Sequence, residues 1–310
     1  MTRAFVFPGQ GAQTVGMGRD LAETYPAAKA VFDEVDEALG ENLSGLIWDG
    51  DIETLTLTEN AQPALMAMSM AVMRALEAEG VGVESAAFVA GHSLGEYSAL
   101  CAAGALGVSD TARLLRARGK AMQAAVPVGE GAMAAVLGLG LDQVEAVVAE
   151  SAQGDCLSAA NDNDPAQVVI SGTRGAVMRA VENAKMAGAK RAVMLPVSAP
   201  FHCDLMTPAA AAMAEELSRV DIETPKVPVV ANVRAVGVEQ PTIIRNLLVD
   251  QVTGSVRWRE SVEWMAGEGV TEFWEIGAGK ALSGMIRRIV KEVTVRPVGT
   301  VEDVKAAVAE

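Results

Sequence analysis

Ala86-Ala87-Phe88-Val89-Ala90-Gly91-His92-Ser93-Leu94-Gly95-Glu96-Tyr97 is the stretch from which the rest of the chain can be read. Ala86 to Ala90 form an apolar run of strand length with no polar alternation, as expected of a strand covered on both faces. A helix is expected from Leu94 onward. Gly91-X-Ser93-X-Gly95 joins the two, and a turn that tight leaves no room for flanking side chains. It thrusts Ser93 outward at a helix N-terminus, where free N–H groups and the helix dipole favour developing negative charge. The pattern fits a nucleophile elbow. GxSxG by itself also fits an ordinary glycine-rich turn; the strand before it and the helix after it favour catalysis.

Outward from the elbow, short apolar runs alternate with longer helical patterns, which predicts an α/β protein with parallel strands. Ala4 to Phe7 reads as a strand stopped by Pro8. Asn60 to Glu79 reads as a helix whose Met66, Met68, Met70 and Met73 fill a core rather than line a binding groove. Between Gly129 and Ser198 the rhythm changes. Strands are expected at Ala132–Leu139, Cys156–Ala160, Gln167–Ser171 and Arg191–Val197, with helices at Leu141–Ser151 and Thr173–Ala187. Asn161-Asp162-Asn163-Asp164-Pro165 is expected as the turn between the two middle strands. This β-α-β-β-α-β order predicts a ferredoxin-like insertion over 129–197, within a larger domain made of 1–128 and 198–310.

The chain has 310 residues, half of them apolar, enough for about three quarters of its unfolded surface to be buried without disulfides or a metal. It carries 25 basic and 40 acidic side chains, a net charge of −15, which argues against a general nucleic-acid binder despite local clusters at Arg113–Lys120 and Arg287–Lys291. The apolar run at the N-terminus is too short for a signal-peptide core, and no uncharged run is long enough to span a membrane. Cys101, Cys156 and Cys203 are odd in number, far apart and without metal spacing. A cytoplasmic protein without metal or disulfide is expected.

A nucleophilic serine needs a base, and the chain has only two histidines. His92 sits beside Ser93 in the turn, so its side chain should diverge from the hydroxyl. Elimination leaves His202, where a strand end runs into a loop. No acid between positions 93 and 202 stands in a motif that would orient it; a carbonyl or an amide could do so equally. Ser109 to Ala125 reads as a helix capped by Ser109. Leu114, Arg118 and Met122 share its apolar stripe, whereas Arg116 and Lys120 fall on another face. A guanidinium at Arg118 must therefore find an anion, either a protein acid or a carboxylate on a substrate. The loop Phe7-Pro8-Gly9-Gln10-Gly11-Ala12-Gln13 could be a plain connection, a weak phosphate cradle, or an oxyanion loop complementing the N–H of Leu94. Neither it nor Gly277-Ala278-Gly279-Lys280 meets a nucleotide-binding fingerprint.

Five motifs in order resemble the malonyl-CoA:acyl-carrier-protein transacylases of fatty-acid synthesis, across essentially the whole chain. They are Phe7 to Gln13, Gly91 to Tyr97, Arg118-Gly119-Lys120-Ala121-Met122-Gln123, Ser198-Ala199-Pro200-Phe201-His202, and Glu275-Ile276-Gly277-Ala278-Gly279. The resemblance implies an α/β-hydrolase-like core with a ferredoxin-like insertion. It implies that Ser93 takes malonyl from coenzyme A as an ester and passes it to the phosphopantetheine thiol of acyl carrier protein, with His202 as base and then acid. It further implies Arg118 as the grip on the malonyl carboxylate, the N–H groups of Gln10 and Leu94 as oxyanion hole, Gln251 near the histidine, Asn161 near the site, and carbonyl groups holding the histidine. No cofactor is implied, since the thioester is itself the substrate, and a monomer is expected. Phe201 resembles the aromatic residue of malonyl-selective polyketide acyltransferase domains, and its bulk should disfavour a branched acyl group. An acidic carrier would need positive charge near the mouth, for which Lys185, Lys190, Arg191, Arg257, Arg287 and Arg288 are candidates. Two other classes share these residues in part: a serine hydrolase or thioesterase, which has no need of a buried Arg118, and a non-catalytic carrier-binding module.

Overall fold

The computed structural model describes residues 2–197 and 199–309. Their strands are β1 (Arg3–Phe7), β2 (Phe88–Gly91), β3 (Gly131–Leu137), β4 (Leu157–Asp164), β5 (Gln167–Thr173), β6 (Arg191–Met194), β7 (Val229–Val230), β8 (Gly237–Val238), β9 (Glu272–Ile276) and β10 (Thr294–Val298). The apolar runs at Ala4–Phe7 and Phe88–Gly91 become neighbours at the centre of a six-stranded sheet, ordered β10-β9-β1-β2-β7-β8. All its pairings are parallel except β7 with β8. β1 and β2 pair in the register Phe7↔Gly91, so the loop after β1 leaves the sheet beside the elbow. The fold is the mixed α/β type expected, with a parallel sheet at its core.

The helix Thr58–Ala78 is buried nearly all round, its methionines included, as core filling requires. Pro63 inside it has no N–H to give, which frees the carbonyl of Glu59. Arg116 donates to that carbonyl at 2.7 Å, to the Asn60 side-chain oxygen, and to Glu41 at 2.6 Å. The face that Arg116 occupies, apart from that of Arg118, is thus buried too: its helix, Val108–Ala124, packs on two sides, and a proline-made vacancy draws the guanidinium in. Ser109 is not the cap of that helix. Gly107 holds the N-cap position, and the Ser109 hydroxyl donates to Glu34 at 2.8 Å.

The segment 131–194 forms a second, four-stranded sheet in the order β4-β5-β3-β6, with helices Leu141–Ala152 and Arg174–Met186, so the β-α-β-β-α-β order is present. β3 pairs antiparallel with β5 and β6, and β5 with β4. β6 ends at Met194, short of Val197, and Ser198 lies outside the described residues. The expected turn at Asn161–Pro165 is a correction: β4 continues through Asp164, irregular at Ala159/Asn161 and Asp162/Asp164. Its polar run stays extended because its far edge is paired with the larger unit. Val256 N–H donates to Ala160 and Asp162 N–H to the Val256 carbonyl. The Asp162 and Asp164 carboxylates meet Arg259 at 2.8 Å and Arg288 at 2.7 Å. Among the described residues no helix is long and apolar enough to cross a membrane.

Asp164 is almost fully buried, and it also caps its own turn by accepting from Ala166 N–H at 2.9 Å. Asp164→Ala should therefore lose stability by about 1–3 kcal/mol. Chemical denaturation checks this, and an unchanged midpoint would contradict the role given to β4 as the tie between the two sheets.

Candidate active site

β2 ends at Gly91 and the helix Leu94–Ala102 begins three residues later, with Ser93 at its N-cap in a strained conformation, φ 54° and ψ −110°. A Cβ on Gly91 would stand 1.9 Å from the Gly95 main chain, and one on Gly95 2.3 Å from the Phe7 carbonyl. The glycines are thus demanded by close approach of backbone to backbone. Asn232, in the loop between β7 and β8, staples the turn: its Oδ1 accepts from Ser93 N–H at 2.8 Å and its Nδ2 donates to the Gly91 carbonyl at 2.7 Å. His92 turns away from Ser93 to Asn163, 2.8 Å from its Nε2.

His202 also has a positive φ, 59°, and places Nε2 2.8 Å from Ser93 Oγ. Its Nδ1 faces two carbonyl oxygens, Gln251 at 2.9 Å and Gly254 at 3.1 Å. Both can only accept, so Nδ1 carries the proton and Nε2 is left to accept from the serine. No carboxylate orients this imidazole; two main-chain carbonyls do. Burial, and next the positive charge of Arg118, hold its pKa down to about 3. The ring is neutral throughout the physiological range.

Arg118 is 1% exposed. Its Nη1 donates to Gln62 Oε1 at 2.8 Å; its Nη2 donates to Gln251 Oε1 at 2.9 Å and to Ser93 Oγ at 3.1 Å. Its Nε has no partner among the described residues. The alternative left open by helical periodicity, an ion pair with a protein acid, is therefore not what is found among the described residues: neutral amides hold the guanidinium beside Ser93. Gln251 does more than stand near the histidine, since its Nε2 also donates to the Ser93 carbonyl at 3.0 Å and to Glu96 at 2.8 Å.

These groups open onto a cavity of about 350 Å³ between the two sheets, lined in part by Gln10, Leu94, Asn161 and Phe201. No hydrogen bond engages the N–H of Gln10 or of Leu94 among the described residues, so both remain available to an incoming oxygen. Every predicted site residue thus borders the cavity or, for Gln251, touches three residues that do. Gln62, Glu96 and Asn232 were not singled out in the sequence. Only Glu96 carried a signal, its place in the motif after the elbow.

The fold and this constellation define an α/β protein that presents a serine–histidine pair at a strand–helix elbow. Residues 4–308 match the family model described as "Acyl transferase domain". The chain is 47% identical to the malonyl CoA-acyl carrier protein transacylase of Bacillus subtilis (strain 168), over 98% of this chain and 96% of that one. It is also 47% identical to the protein of the same name in Escherichia coli (strain K12), over 94% of each. The crystal structure of an acyl-carrier-protein S-malonyltransferase from Bartonella henselae superposes with a TM-score of 0.98 at 55% identity, covering 100% of this chain and 99% of that one. The chain belongs to the acyl transferase family, among the malonyl CoA–acyl carrier protein transacylases.

A histidine this acidic makes a prediction that needs no knowledge of the substrate. Labelling of Ser93 by a serine-directed organophosphorus reagent should keep a constant rate from about pH 5 to pH 8, because the base stays unprotonated. A half-loss near pH 6.5, measured by stopped labelling and mass spectrometry, would contradict the environment described for His202.

Proposed function

We propose that this chain transfers a malonyl group from malonyl-CoA to the phosphopantetheine thiol of acyl carrier protein, through a Ser93 ester, for fatty-acid biosynthesis. The observation that carries this reading is a buried guanidinium, free of any protein carboxylate, 3.1 Å from the hydroxyl of a serine that is paired to a histidine. A hydrolase of neutral esters gains nothing from such a group, whereas a carboxylated acyl donor supplies the missing anion.

In the first half-reaction Ser93 Oγ attacks the thioester carbonyl as His202 Nε2 takes its proton. The N–H groups of Gln10 and Leu94 receive the developing oxyanion. The carbon–sulfur bond then breaks, and the proton on His202 leaves with the coenzyme A thiol. In the second half-reaction the carrier thiol gives its proton to His202 and attacks the ester, and Ser93 departs with that proton. Arg118 holds the malonyl carboxylate in both halves. Asn161 and Phe201 shape the acyl cavity, Phe201 leaving little room for a branch. No cofactor enters these steps.

Further parts of the same reading are a monomeric state, a cytoplasmic location, and a division into 1–128 with 198–310 and the insertion 129–197. For the carrier surface the candidates narrow. Lys185, Arg257 and Arg288 are engaged by Glu182, Glu260 and Asp164, and Arg287 by the Val295 carbonyl. Lys190 and Arg191 have no acidic partner among the described residues and suit an acidic carrier. One solved relative with a TM-score of 0.97 and 42% identity is a malonyl-transacylase in complex with its type II PKS acyl-carrier protein. That complex supports a carrier as acceptor.

Brief mixing with malonyl-CoA should add one malonyl group to the intact mass of the wild type and none to Ser93→Ala. Arg118→Met should slow that acylation by about 10- to 100-fold, the loss of a charge-assisted contact, and slow acetyl transfer from acetyl-CoA much less. An adduct persisting in Ser93→Ala would overturn the assigned nucleophile. Equal losses for both acyl groups in Arg118→Met would overturn the carboxylate grip.

A further inference from the structure

Glu96 is a buried acid that the steps above do not use. It lies three residues after the nucleophile on the elbow helix, with its side chain 2% of the way to full exposure. Its Oε2 accepts from Asn232 N–H at 3.0 Å and from Gln251 Nε2 at 2.8 Å. Both donors already belong to the site: Asn232 staples the elbow, and Gln251 contacts Arg118 through its side chain and His202 through its carbonyl. We propose that Glu96 is a positioning residue that sets the preference for carboxylated acyl groups, acting through the Gln251 amide on Arg118. The assignment rests on the transferase reading and names what tunes its specificity.

The side-chain amide of Gln251 can be turned either way about its last bond, with oxygen and nitrogen exchanged. One orientation sets its oxygen toward the Arg118 guanidinium and its NH₂ toward the Glu96 carboxylate; that is the one observed. The other would set NH₂ against a cation that can only donate and oxygen against an anion that can only accept. An ionised Glu96 therefore makes the choice two-sided, and Arg118 meets an acceptor whose direction is fixed. The same arrangement explains why a carboxylate so close to a buried guanidinium does not bond to it directly. A direct pair would fill the guanidinium edge that a substrate carboxylate needs. Placed one amide away, Glu96 offsets part of the cost of burying the charge without bonding to the guanidinium, whose Nε keeps no partner among the described residues. With Glu96 neutral, the Ser93 carbonyl still accepts from Gln251 Nε2 at 3.0 Å, but the charge that reinforces this orientation is gone, and the grip on a carboxylate loosens.

The charged groups acting on Glu96 are few. Arg118 stabilises its ionised form, the bonds from Gln251 and Asn232 do likewise, and burial opposes all three, leaving the carboxyl at about 7. Tyr97 beside it is pushed up to about 12 and stays neutral, and His202 at about 3 also does not titrate near neutrality. His92, which also borders the cavity, is held below its ordinary value by burial. Glu96 is the carboxyl of this site placed near neutrality, and the sign follows. As pH falls through about 7 the carboxyl takes up a proton and malonyl preference drops.

The test measures Ser93 acylation of the full chain by malonyl-CoA and by acetyl-CoA, using intact mass, from pH 5.5 to 8.5. In the wild type the malonyl-to-acetyl rate ratio should fall by about ten-fold as pH drops across that range, roughly what a weakened charge-assisted contact yields. Glu96→Gln, which keeps the shape and an acceptor oxygen but not the charge, should show the low ratio at every pH. A folded Glu96→Gln with the wild-type ratio and pH profile would overturn the assignment. If that variant does not fold, a flat wild-type ratio overturns it and a falling one supports it. Absence of a malonyl adduct on the wild type at any pH would instead bring down the transferase reading, and this assignment with it.

Discussion

A guanidinium in the protein interior with no acid bonded to it is the constraint on which the rest of this site depends. Leaving Arg118 buried costs free energy unless its donors are met. They are met by amides from two different helices, Gln62 from Thr58–Ala78 and Gln251 from Pro241–Thr253, while a third helix carries the arginine itself. The three must be packed in fixed relation before those bonds can form. The near-total burial of the Thr58–Ala78 helix and its methionines provides that rigidity. Among the described residues Nε remains unpartnered, so the site keeps an unmet donor beside Ser93.

The paired side chains of Ser93 and His202 are arranged by backbone rather than by other charged groups. Ser93 and His202 both sit at positive φ, a strain tolerated only because the surroundings over-determine it. The Gly91 and Gly95 contacts fix one, and the carbonyls of Gln251 and Gly254 fix the other. A carbonyl cannot take up a proton as a carboxylate can, so the imidazole is held in one tautomer by groups that do not titrate.

Much of this was legible in the sequence because composition made it so. With only two histidines, and one of them inside the elbow, elimination pointed to His202, which the structure sets against Ser93, and helical spacing put Arg118 on the apolar face of its helix. What was not legible came from distant parts of the chain. Asn232 and Gln62 are ordinary amides until the fold brings them to the elbow and the guanidinium. The run Asn161–Asp164 has turn composition, yet it is strand, since Val256, Arg259 and Arg288 satisfy it from outside the local sequence. The role of Arg116 was illegible for the same reason: the carbonyl it serves is freed by a proline in another helix.

Ser–His chemistry alone does not separate a transferase from a hydrolase; the fate of the acyl group does. The most direct measurement isolates the malonyl-enzyme rapidly and follows its decay in buffer, with and without phosphopantetheinylated acyl carrier protein. The account predicts slow loss in buffer and rapid discharge on carrier addition, with the malonyl group recovered on the carrier thiol. Decay at one rate in both conditions, with free malonate as the product, would contradict it.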